Sequence, residues 1–544
     1  MSSSVPIEND DSSDDVEIIC VKNAASAVNA VFENAPAEMP VVNGQKRKHP
    51  DNNEVGKRKS KASKSNENHD QSAACPFKLF ATEQDRKTLL SNRQSASPVR
   101  EHCQTLSQML GIPESGSAIE WIVISNFMIE PDFLLDEVPE LISCPKIIIF
   151  YEHGTPRSWP NTEFIRITPR EEPSSPSNPT ANPLRYQYRY GTHHTKMFLV
   201  GFKDRLRVII HTANLMHVDI YKKAQGAYIQ DFPYKSKQSS SRSSSEINTC
   251  DFEKCLIGYM ESYGYKKPHD WISSHDGLEK VTLQQQLSLY DFTAANVVLI
   301  PSIPGYYSFP DKCKTQGYMK LKSAVEQHVA AGSQSDGQVI CQFSSIGALS
   351  EKWLREFVSS ISIKDVQHHE TAKTGKAAKL VDLVKLVYPT VEEIEQSIEG
   401  FAGGNSVPGK KKNVEKSFLK PLYCKWASFD EFSVRNPLHK KKNVPHIKSY
   451  YQLKPGGSDM EWFMMGSQNL SKAAWGEIIN GKYGKCLRVL SWELGVFVAP
   501  SLVGGRLVPF TENSHGQEGA TIIPLPYALN PERYSCNDEP WTID

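Results

Sequence analysis

One short phrase of polar residues is written twice in this chain, once in each half. The first copy is His194-Thr195-Lys196, an apolar run, then Thr212-Ala213-Asn214-Leu215. The second is His446-Ile447-Lys448, an apolar run, then Ser467-Gln468-Asn469-Leu470. Each His-x-Lys leads into strand-type residues, Met197-Phe198-Leu199-Val200 or Ser449-Tyr450-Tyr451. Each then meets a second apolar strand, Arg207-Val208-Ile209-Ile210 or Trp462-Phe463-Met464-Met465, that ends near its Asn. Alternation along a strand turns His194 and Lys196 to one face, and His446 and Lys448 likewise. Pairing of the two strands brings each Asn to its own His and Lys. A chain with this pattern is constrained to fold as two similar halves, with one site on the axis they share.

A third His-x-Lys, in His439-Lys440-Lys441-Lys442, lacks that context and reads as a basic loop. Taken singly, a strand Lys is usually a solvated surface group and an Asn at a strand end is usually a turn residue. Two matched sets reverse that reading. The chemistry they suggest is metal-free phosphodiester cleavage. Histidine has a reference pKa of about 6.5, so one neutral imidazole can attack phosphorus while a second handles the proton. Lys196 and Lys448 would hold the non-bridging oxygens, and Asn214 and Asn469 would add hydrogen bonds without charge. The residues alone do not say which histidine attacks.

The runs Gly191-Thr192-His193-His194-Thr195-Lys196-Met197 and Ser471-Lys472-Ala473-Ala474-Trp475-Gly476 resemble the eukaryotic tyrosyl-DNA phosphodiesterases, a branch of the phospholipase D superfamily. The likeness spans roughly residues 76–544. The general superfamily motif adds an Asp after the Lys; here Gly201 and Leu453 stand there, as in the tyrosyl-DNA branch. The resemblance implies an α/β fold: two similar α-β-α sandwich domains with mixed sheets, forming a pseudo-two-fold, phospholipase D-like monomer. It implies that His194 is the nucleophile and His446 the general acid and then base. It also implies that Glu493 orients His194 and Gln225 orients His446. His193, on the opposite face, reads as structural. The implied substrate is DNA, single- or double-stranded, with a topoisomerase I-derived tyrosine or related adduct on its 3′ phosphate. Tyr190 would stack on a base. Ser344, Ser345, Ser471 and Lys472 would take phosphates, although the serines could equally be helix caps. Lys410-Lys411-Lys412 and Lys440-Lys441-Lys442 would add nonspecific attraction.

Composition narrows the class. The 544 residues are 39% hydrophobic, enough for large cores, and carry zero formal net charge, so DNA binding must come from clustered charge. The eleven cysteines include no Cys-x-x-Cys pair, which fits a reducing compartment and gives no zinc pattern. No metal or cofactor is expected. No secretory signal or membrane-spanning run is visible, which points to a soluble intracellular protein.

Three regions are expected: a disordered tail over 1–75, a first domain over 76–294 and a second over 295–544. The tail carries Lys46-Arg47-Lys48 and Lys57-Arg58-Lys59-Ser60-Lys61, spaced like a bipartite nuclear localisation signal. This suggests the nucleus, with cytoplasm or mitochondrion as further compartments. Its Val16-Glu17-Ile18-Ile19-Cys20-Val21, flanked by aspartates, resembles a SUMO-interacting segment. Two loops are expected at Pro173–Pro183 and Lys235–Ser245, and helices at Leu134–Leu141 and Leu349–Val358. The competing readings are another nuclease or lipid phosphodiesterase of the superfamily, and a noncatalytic DNA-end-binding protein.

Overall fold

The computed structural model describes residues 76–91, 97–112, 118–167, 191–236, 250–271, 280–329, 337–363, 379–428, 436–481, 484–511 and 519–544. The tail with its basic clusters and Val16–Val21, the Pro173–Pro183 segment, most of Lys235–Ser245, and Tyr190 lie outside the described residues.

Seven strands form the body of the first sheet: β1 (Phe77–Phe80), β2 (Trp121–Met128), β3 (Ile147–His153), β4 (Thr162–Arg166), β5 (Met197–Gly201), β6 (Arg205–His211) and β7 (Gly226–Pro233). Seven more form the body of the second: β8 (Val298–Ser302), β9 (Val339–Gln342), β10 (Val384–Val387), β11 (Tyr423–Cys424), β12 (Ser449–Leu453), β13 (Met460–Gly466) and β14 (Glu493–Val498). The first runs β1-β7-β6-β5-β2-β3-β4 and the second β8-β14-β13-β12-β9-β10-β11. Every pairing also keeps its sense. Four successive antiparallel pairs are followed by two parallel ones in both sheets. The duplication expected from two motifs is thus a duplication of topology.

Residue alternation explains the layers. Ile122 and Ile124 of β2 face an outer core, whereas Trp121 and Val123 face an inner one. On β9, Val339 and Cys341 face the outer core and Ile340 the inner. Strands buried on both faces are apolar throughout, as in Ile147-Ile148-Ile149-Phe150. Helices such as Gly317–His328 and Glu351–Ile361 cover the outer face of the second sheet. The two inner faces meet directly, for example Phe77 against Phe463 with ring centroids 5.3 Å apart. Helix Asp251–Glu261 lies in that inner core.

Two expected helices are shifted. Pro139 lacks the N–H to continue a helix, so Pro131–Glu137 ends before it and a 3-10 turn, Pro139–Ser143, follows. Ser350 accepts from the Trp353 N–H, so the later helix starts at Glu351 and runs to Ile361. Among the described residues, no helix is long and apolar enough to cross a membrane.

Lys440 corrects the reading of its basic run. It is 4% exposed and its Nζ lies 2.6 Å from Asp85 of the first half, so it ties the halves together rather than attracting DNA. Removing one partner of such a buried pair costs about 3–5 kcal/mol.

Candidate active site

Short cross-connections between the halves build the site. Val444-Pro445, just before His446, pair in parallel with Lys223-Ala224, just before Gln225. His193, just before His194, bridges Trp492, just before Glu493. Each motif histidine is therefore set beside a residue from the other half. Gln225 and Glu493 hold matching places, next to the start of β7 and at the start of β14. Gly226 lets this contact close: a Cβ there would sit 2.5 Å from the Met465 sulfur across the interface.

His194 Nδ1 lies 3.0 Å from Glu493 Oε2 and 3.0 Å from the Ser467 carbonyl oxygen. A carbonyl can only accept, so Nδ1 carries the proton and Nε2 is the unprotonated nitrogen. His446 Nδ1 lies against the Gln225 carboxamide. With Oε1 turned to it, that oxygen accepts at 2.9 Å, and the NH2 group donates to Thr212 Oγ at 2.7 Å and the Thr212 carbonyl at 3.2 Å. This orientation again leaves Nε2 as the nitrogen available to substrate.

Both motif lysines are fully buried, against the usual habit of a lysine. Lys196 Nζ donates to the His194 carbonyl at 2.8 Å, and Lys448 Nζ to the His446 carbonyl at 2.7 Å. Residues 194–196 and 446–448 lie just before strands β5 and β12 rather than inside them. The strands still fix them: the His211 N–H donates to the Lys196 carbonyl and the Gly466 N–H to the Lys448 carbonyl.

The two sets share one electrostatic neighbourhood. His446 is held well below the usual histidine range, first by burial and then by Lys448, Lys196 and His194. Burial pushes the Glu493 carboxyl up to about 8, against the opposing pull of a Ser467 hydrogen bond, Lys196 and Lys448.

The asparagines differ. Asn469 Oδ1 accepts from Ser344 N, Ser344 Oγ and Ser345 N, which leaves its NH2 group for substrate. The phosphate role expected of those backbone N–H groups is therefore corrected: they orient Asn469. Ser471 Oγ accepts from the Ala474 N–H as a helix cap, and its own O–H stays available to donate. Lys472 is paired with Glu477 at 2.9 Å. Asn214 is held through its backbone, whose N–H donates to Asp219 Oδ2 at 3.0 Å.

His193 is structural, as expected: fully buried, driven down to about 3 by burial first and then by Lys196 and His194, and so neutral. Two neighbours were not foreseen. Phe127 places its ring 5.1 Å from that of His194 and 5.3 Å from Lys196 Nζ. Buried Asp219 lies 3.7 Å from His446 Nδ1. Neither belongs to a repeated motif, and in sequence Asp219 is a lone acid on a short helix. Among the described residues, no group of three or more His, Cys, Asp or Glu could hold a metal ion.

Comparison with known proteins agrees with this geometry. The family model described as tyrosyl-DNA phosphodiesterase matches residues 86–535. The Arabidopsis thaliana tyrosyl-DNA phosphodiesterase 1 is 30% identical over 453 residues, covering 78% of this chain and 69% of that protein. The Drosophila melanogaster protein of the same name is 28% identical over 483 residues, covering 87% and 74%. The crystal structure of the yeast tyrosyl-DNA phosphodiesterase superposes with a TM-score of 0.58 at 15% identity, covering 86% of this chain and 99% of that one, a likeness of fold. With the family model spanning most of its length and each motif histidine held by a residue of the opposite half, this chain belongs to the tyrosyl-DNA phosphodiesterase family.

Proposed function

We propose that this chain hydrolyses the phosphodiester between a tyrosine, or a related adduct, and the 3′ end of DNA, through a covalent phosphohistidine. The observation that carries this is the pair of histidines, each with Nδ1 held by a residue of the opposite half, beside two buried lysines.

In the first step the His194 Nε2 lone pair attacks phosphorus and the P–O bond to tyrosine breaks. The phenolate takes the proton of His446 Nε2. A phenol, with a pKa of about 10, leaves more readily than a sugar hydroxyl. In the second step His446 takes a proton from water, the oxygen attacks phosphorus and the P–N bond breaks. The products are 3′-phosphate DNA and free His194. Lys196, Lys448 and the Asn469 amide stabilise the charge on phosphorus in both transitions.

Substrate binding solves a problem visible in the resting site. His446 is neutral there, because burial and then its cationic or titrating neighbours Lys448, Lys196, His194 and Lys223 disfavour its charge. A phosphate anion between Lys196 and Lys448 offsets those cations, so the substrate itself promotes the protonation its departure requires.

Lys472, the Ser471 hydroxyl and exposed Lys411 and Lys412 form the proposed path for the DNA strand. Nuclear residence through the two basic clusters and a SUMO contact through Val16–Val21 are further proposals from sequence.

Cleavage of a 3′-phosphotyrosyl oligonucleotide in EDTA tests the reading. Release of tyrosine and a 3′-phosphate end is expected. Activity restored only by added metal would contradict it, as would turnover of phosphatidylcholine in place of the oligonucleotide.

A further inference from the structure

The side chains on either side of His194 are buried and tied down by phenols. Thr195 Oγ is hydrogen-bonded to Tyr259 OH. His193 Nε2 lies 2.8 Å from Tyr263 OH, and Ser125 Oγ lies 2.8 Å from the same phenol. Ser125, His193, Thr195, Tyr259 and Tyr263 are all fully buried. Burial pushes the Tyr263 phenol up to about 12 and Tyr259 well above its ordinary value, so both keep their O–H.

The same turn reaches the other half. Tyr259 lies in helix Asp251–Glu261, and Ser262 and Tyr263 follow it directly. Trp492 Nε1 donates to Ser262 Oγ at 3.0 Å. The Trp492 N–H donates to the Thr192 carbonyl at 2.8 Å, and the Trp492 carbonyl accepts from the His194 N–H at 3.0 Å. One end of one helix therefore grips both segments whose alignment sets the His194–Glu493 contact.

The second motif is supported differently. Pro445 and Ile447 flank His446, and neither side chain can hydrogen-bond. A phenol on that side, Tyr527, bonds Ser449 Oγ at 2.7 Å, beyond the motif.

We propose that Tyr259 and Tyr263 are positioning residues for His194, holding the segment 192–196 in register with Trp492-Glu493 while the phosphorus–nitrogen bond forms. The inference rests on His194 being the nucleophile. A misplacement of about 1 Å in a reacting group costs on the order of a hundredfold in rate.

Single-turnover cleavage of a 3′-phosphotyrosyl oligonucleotide tests it, using Tyr259→Phe, Tyr263→Phe and the double variant. Tyr527→Phe serves as the matched loss of one buried phenol on the other side. The covalent step should slow roughly tenfold or more in each single variant and further in the double. KM should stay within about twofold, and hydrolysis of the intermediate should be unchanged. Tyr527→Phe should leave the covalent step at the wild-type rate. A wild-type covalent step in both single variants would overturn the proposal. So would a joint fall of both steps in the Tyr259, Tyr263 and Tyr527 variants alike, which marks general loss of folded protein. Failure of a His446→Ala variant to accumulate an adduct on His194 would instead overturn the assignment on which the inference stands.

Discussion

The two halves share a strand order, a strand sense and a motif, yet each holds its histidine with a different partner. His194 faces a carboxyl group, Glu493, while His446 faces a carboxamide, Gln225. The two partners occupy matching positions, so the difference is chemical rather than architectural. A carboxyl group can take up the charge that develops when His194 bonds to phosphorus. A carboxamide orients His446 as a neutral hydrogen-bond partner, and the nearest carboxyl group, Asp219, stays 3.7 Å from its Nδ1. In the mechanism proposed above, this difference in partners is what would separate a nucleophile from an acid.

The comparison breaks most decisively at the nucleophile. His194→Ala should lower turnover by roughly 10⁴ or more while DNA binding, measured by fluorescence anisotropy, stays close to wild type. A loss of similar size in binding would mean that His194 anchors substrate instead.

Exchanging the partners sharpens the contrast. Glu493→Gln should slow the covalent step by roughly ten- to a hundredfold. Gln225→Glu should favour the imidazolium form of His446 and move the alkaline limb of kcat/KM to higher pH by roughly one pH unit. Equal effects of the two substitutions on both steps would erase the distinction drawn between the halves.

A smaller effect concerns stability. The Glu493 pKa is raised to about 8 in the folded protein, above an unfolded value of about 4.3. Between those values the folded state binds more protons than the unfolded one, so this group's contribution is fully present below about pH 4.3 and fades as pH rises through 8. Chemical denaturation of wild type and Glu493→Gln at pH 5 and pH 8 should therefore show wild type losing ground to the variant at the higher pH. A constant difference would place Glu493 ionised throughout.

Much of this was legible in the residues. The repeated His-x-Lys and Asn sets fixed the duplication, because period-two alternation leaves few ways to bring three polar types together twice. What escaped were contacts made by side chains without a repeat. Ser344 and Ser345 resemble phosphate ligands in sequence, but only packing reveals that Asn469 Oδ1 takes their donors. Lys440 looks like one cation in a solvated run until Asp85, distant in the chain, is seen beside it. Asp219 and Phe127 carry no motif at all. Long-range partners of single residues are not written in local spacing.

The central claim is that imidazoles from both halves flank one phosphate and that His194 takes it covalently. Replacing the acid–base residue, as in His446→Ala, should strand the intermediate. After reaction with a 3′-phosphotyrosyl oligonucleotide and denaturing electrophoresis, a protein–DNA band should accumulate, and peptide mass spectrometry should place the phosphate on His194. Absence of the band, or an adduct on any other residue, would contradict the account.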